Sequence, residues 1–173
     1  MSYYIARSDF FKMLCETNKK VAHGTIDTNT GDVRNSFFRL NNNEEAIAQA
    51  LNGMHLPAVI HSEYSVRPVL KGEDERVQIT NELVFLCKPT DTTADAIQQA
   101  YNMAETVLEE FVQWMLNAYE EDGSCGPFKM IDLSMFSWDP IGPFMNDFYG
   151  FALTIREEQR ATALTNYNAN NWL

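Results

Sequence analysis

Apolar positions first gather at Phe10, Phe11, Met13 and Leu14, just behind Ser8 and Asp9. Serine and aspartate cap helices, so the pattern predicts a short helix ending near Asn18. From Val21 to Phe38 the chain turns to Gly, Thr, Asn and Asp around Thr28-Asn29-Thr30-Gly31-Asp32, a turn whose flanks suit pairing as a hairpin. Asn43 followed by Glu44 and Glu45 reads as a second helix start with acids in its first turn. Ile47, Ala50 and Leu51 give it a small apolar face, and Gly53 stops it.

Residues 58 to 70 and 77 to 88 read as two strands joined by the charged connection Lys71-Gly72-Glu73-Asp74-Glu75-Arg76. In the second strand Val77, Ile79, Leu83, Phe85 and Cys87 share one side by period two, and Gln78, Thr80 and Glu82 take the other. Val84 and Leu86 add apolar residues to that second side, so this end of the strand should be covered on both faces, by the fold or by a partner.

The strongest pattern predicts a helix from Thr93 to Glu121. Thr92 with Asp95 three residues later has the form of a capping box. Ile97, Tyr101, Ala104, Leu108, Phe111, Met115 and Ala118 recur at spacings of four and three and fall on one stripe, while Glu105, Glu109, Gln113, Glu120 and Glu121 lie elsewhere. Gly123 and Gly126 terminate the helix.

Two more strands are expected near Lys129 to Trp138 and Phe148 to Arg156, separated by Asp139-Pro140-Ile141-Gly142-Pro143, whose prolines and glycine bar regular structure. In the last strand Tyr149, Phe151, Leu153 and Ile155 make one heavy face. The sum is an α+β fold: an antiparallel sheet with one long helix packed on a face, plus short N-terminal helices. A single domain is expected over residues 1–156, and residues 157–173 read as a polar C-terminal tail.

Charge narrows the function classes. The chain carries 24 acids against 13 lysines and arginines, a net charge of −11, which argues against sequence-specific nucleic-acid binding and against anionic membrane surfaces. Residues 99 to 173 hold 11 acids and 3 bases, net −8, so the second half owns most of the negative field. No secretory signal or spanning helix opens the sequence, and Cys15, Cys87 and Cys125 fit reduced, buried thiols, so a cytoplasmic origin is expected.

Candidate chemistry is sparse. Asp27, Asn29 and Asp32 around Gly31 resemble a calcium loop, but Gly31 falls where a ligand should stand and Phe38 occupies the place of the closing acid, so turn chemistry accounts for them better. Cys125 lies beside Glu120, Glu121 and Asp122 at a helix C-terminus, where charge and dipole both oppose a thiolate. His23, His55 and His61 are too scattered to make a zinc site and read as strand-edge or loop histidines. Glu105 and Glu109, one turn apart, read as a solvated face. No phosphate loop or nucleophile elbow is present, so catalytic, cofactor and metal roles are all read as none.

Two clusters favour contacts instead. Trp138, Ile141, Phe144, Met145 and Phe148 crowd a segment broken by proline and glycine, and Tyr167, Trp172 and Leu173 punctuate the polar tail. Both suit subunit interfaces.

The hairpin of residues 58 to 88, the helix of 93 to 121 and the closing strand Gly150-Phe151-Ala152-Leu153-Thr154-Ile155 together resemble the tail-terminator or tail-completion (neck) proteins of long-tailed bacteriophages. The resemblance spans residues 58 to 156, and the first 57 residues depart from it. It implies a homo-oligomeric ring, usually a hexamer, that caps the tail tube and joins it to the head-tail connector in the virion, without a cofactor. An acidic lumen would let DNA pass without gripping it. The alternative expectation is a small acidic adaptor or immunity-type protein of a bacterial cytoplasm that blocks a basic partner. A third is an enzyme assembled from His61, Glu63 and Tyr64.

Overall fold

In the computed structural model, residues 3–39, 53–71, 74–144 and 147–160 are described. Helix α1 spans Tyr3–Thr17, followed by β1 (Phe37–Arg39), β2 (Ala58–Lys71), β3 (Asp74–Cys87), the long helix α2 (Ala94–Asp122), β4 (Phe136–Phe144) and β5 (Phe148–Arg160). The five strands form one sheet in the order β1-β2-β3-β5-β4. The α+β class stands, with one correction: β1 runs parallel to β2, so the sheet is mixed, and only the other pairings are antiparallel.

Alternation sorts the sheet into two faces. Val59 of β2, Leu83, Phe85 and Cys87 of β3 and Leu153 and Ile155 of β5 share one face with Phe10, Phe11, Leu14 and Cys15 of α1 and the buried stripe of α2. Both helices therefore cover that side. Ile60, Val84 and Leu86, in the opposite phase, form a second and smaller cluster on the other face.

In α2 the expected stripe residues Ala104, Leu108, Phe111 and Met115 are buried. The stripe is wider than read, because Ala96, Ala100, Val107 and Val112 join it. Its cap differs by one residue. Thr93, not Thr92, sits in extended backbone and accepts the Ala96 N–H through Oγ1, while Asp91 Oδ1 accepts the Thr93 N–H. Gly123 closes the helix in the left-handed region at φ 65°, its N–H donated to the Tyr119 carbonyl.

Four boundaries depart from expectation. α1 begins at Tyr3, so Ser8 and Asp9 lie inside it. Arg7, Ser8, Phe11, Leu14 and Cys15 make its buried stripe, and the two polar members hid the helical period from the sequence. β4 continues across Asp139–Pro143, where a break was expected, because it is the outermost strand and a proline there forfeits no hydrogen bond of the sheet interior; the expected irregularity survives as a shift in register with β5 between Ile141 and Phe144. Residues 129–132 are loop instead of strand, leading into a 3-10 turn at Leu133–Met135. β5 continues to Arg160, so the first four residues of the expected tail belong to the sheet; residues 161–173 lie outside the described residues, as does the helix expected from Asn43 to Gly53 apart from Gly53 itself. The hairpin expected around Thr28 is reduced to a single bridge, Ile26 to Val33.

Candidate functional site

The face of the sheet turned away from α1 and α2 is amphipathic along its strands. At one end, register aligns Ile60 with Val84 and Val84 with Ala152, while Leu86 pairs with Gly150 and Gly150 with Ile141. Phe38, Met54, Ile141, Phe144 and Phe148 close around this row and stay partly exposed. Toward the other end the same face carries Gln78, Thr80 and Glu82 of β3 opposite Glu158, Arg156 and Thr154 of β5. Gly150 is obligatory in this patch: a Cβ there would lie 1.8 Å from the Phe85 carbonyl oxygen. At the rim, Lys88 pairs with Asp147 at 3.2 Å and rests 5.8 Å from the Phe148 ring centroid.

Of the residues expected to make contacts, the fold brings Ile141, Phe144 and Phe148 into this patch. Trp138 has the opposite phase and packs against the main core. Met145, Tyr167, Trp172 and Leu173 lie outside the described residues. Phe38, Met54 and Ile60 were not anticipated. The off-phase apolar residues Val84 and Leu86 were the signal that a second cover was needed, and these residues help supply it.

Beneath α1 lies a set of buried polar groups that sequence reasoning missed. Arg7 forms an ion pair with Glu157 of β5, and both are sealed from solvent. Glu157 also accepts the Lys129 backbone N–H at 3.0 Å and the Gln159 side-chain amide at 2.7 Å, while the Arg7 guanidinium lies 4.4 Å from the Phe128 ring centroid. Glu157 and Gln159 continue the period-two phase of Leu153 and Ile155, which would have predicted their burial.

His61, expected at a strand edge or in a loop, is a core residue. It follows Val59 in phase on β2, stacks on Tyr4 at 5.3 Å and meets the edge of Phe11 at 5.1 Å. Burial depresses its pKa to about 4, helped by the charges of Arg39 and Arg7. The register shift between His61 and Glu63 turns Glu63 to solvent, and Tyr64 packs on Tyr4, so the three candidate enzyme residues do not converge on an open site.

His23 is structural. Its Nδ1 accepts the backbone N–H groups of Ser36 and Phe37 at 3.1 and 3.2 Å. His55 Nδ1 likewise accepts from Asn35 at 3.1 Å. Asp27 organises its turn by accepting the Asn29 N–H at 2.8 Å and pairing with Arg34 at 3.6 Å. Among the described residues no group of three His, Cys, Asp or Glu could hold a metal ion, and no helix is long and apolar enough to cross a membrane. All three thiols are buried, and desolvation raises them well out of the reactive range, Cys125 to about 11 and Cys87 to about 12. No family model matches this chain, and neither a curated protein nor a solved structure is detectably similar to it.

Proposed function

We propose that this chain is a non-enzymatic assembly protein that forms a homo-oligomeric ring at the head-tail junction of a bacteriophage, as a tail terminator or neck component. The observation that carries this reading is the partly exposed apolar patch of Ile141, Phe144 and Phe148 on the face of the sheet that, among the described residues, neither α1 nor α2 covers. A monomer gains nothing by presenting partly exposed aromatics on the side opposite its core, whereas a subunit interface buries them. The net charge of −11 agrees with a lumen through which DNA slides without being held.

Sedimentation equilibrium, alone and with isolated tail tubes, tests the proposal. A ring gives a mass several times 19.8 kDa, and replacing Phe144 or Phe148 by glutamate dissociates it. A monomer that binds no tube but forms a stoichiometric complex with a defined basic protein would replace this reading with the adaptor one.

A further inference from the structure

The segment between Gly24 and Arg34 is short, exposed and unusually well fastened. Asp27 N–H donates to the Asp32 carbonyl and Gly31 N–H to the Asp27 carbonyl, both at 2.8 Å. Arg34 N–H donates to Thr25 at 2.8 Å, Gly24 N–H to Arg34 at 2.9 Å, and the Arg34 side chain reaches the Leu56 carbonyl at 3.1 Å. Gly31 supplies the positive φ of 78° that the turn requires. The bridge pairs Ile26 with Val33, and these two branched side chains are 69% and 63% exposed, the highest values among the large exposed hydrophobics of the described residues. Two adjacent apolar side chains held on a preformed turn make a knob whose ordering cost is already met by the turn's own hydrogen bonds.

On the same molecule a groove of about 420 Å³ opens between the C-terminal end of α1 and the middle of α2. Leu14 and Phe111 form its floor, Trp114 lines it while 42% exposed, and Lys19 and Lys20 stand at its rim. Lys20 is engaged by Glu110, whereas Lys19 has no acidic partner among the described residues. Beside the knob, Asp27 is engaged by Arg34, and Asp32 is exposed without a cation among the described residues.

We propose that the Ile26–Val33 knob of one copy docks in the Trp114 groove of a second copy, with Asp32 facing Lys19 across the contact. The occupant is a second copy because the two surfaces match in apolar character and leftover charge. In a chain of net charge −11, an unpaired lysine at the rim of an apolar groove is a natural receptor for the chain's own acidic, apolar-tipped turn. The inference rests on the self-association reading and specifies one contact for it. A reciprocal contact closes a dimer, and a head-to-tail one builds a ring where its rotation closes.

The test uses the full chain. Ile26→Asp should weaken self-association roughly 10- to 100-fold, the cost of losing one buried branched side chain. Lys19→Asp and Asp32→Lys should each weaken it several-fold, and the double variant should recover it. Because the native thiols are buried, mixing Val33→Cys chains with Trp114→Cys chains under mild oxidation should give a covalent dimer that neither variant gives alone. Self-association that survives Ile26→Asp, with no mixed covalent dimer, overturns the knob contact while leaving ring assembly through the Phe144 patch intact. A monomer throughout the concentration range overturns it as well, and then rings form only on a tail tube.

Discussion

Arg7 and Glu157, 150 positions apart in the chain, meet as a buried ion pair that joins the first helix to the last strand. Nothing apolar could replace either partner alone. Arg7→Met strands a buried carboxylate and should cost about 3–5 kcal/mol in chemical denaturation. Adding Glu157→Gln keeps an acceptor for the Lys129 N–H and should recover most of the loss. Equal destabilisation of the single and double variants would show that the charge pairing is not what matters.

His61 makes stability acid-sensitive. Its folded-state pKa of about 4 lies below the ordinary 6.5, so the unfolded chain takes up the proton first as pH falls. Its contribution is complete above the unfolded value and drains away as pH drops through the window toward the folded one, by on the order of 3 kcal/mol. Denaturation midpoints at neutral pH and near the folded-state value should converge in His61→Phe relative to the parent chain.

The cap of α2 separates two adjacent threonines. Thr93→Ala should lower stability by about 1 kcal/mol, because the Ala96 N–H loses its acceptor, and Thr92→Ala should change it little. The reverse ranking in thermal melts would move the helix start by one residue.

Gly150→Ala should be among the most damaging small changes in the protein. The added methyl would meet backbone, the Phe85 carbonyl, which cannot rotate away. A loss of about 2–3 kcal/mol is expected, with the β3–β5 register disturbed at Leu86 in amide chemical shifts.

What the sequence disclosed was what local periodicity controls. The β2–β3 hairpin and α2 follow from alternation and from three-four spacing among residues that are neighbours in the chain. What it concealed depends on distant partners. Arg7 and Ser8 interrupt an apolar stripe, and only Glu157 explains why an arginine belongs there. Pro140 and Pro143 forbid an interior strand but not an outer one, and position in the sheet is decided by β5. β1 has three residues, too few for any period, and exists because β2 offers it a parallel edge. The contact patch was half legible: Ile141, Phe144 and Phe148 stood out as crowded apolars, whereas Trp138 differed from them only in phase.

Because β5 is inserted between β3 and β4, those two strands stay unjoined until β5 emerges from the ribosome. Until then β3 offers one bare backbone edge and β4 two. Until β5 is made, the chain is open to wrong pairing with others of its kind. Expression at lower temperature, which slows synthesis and weakens apolar association among unfinished chains, should raise the soluble yield.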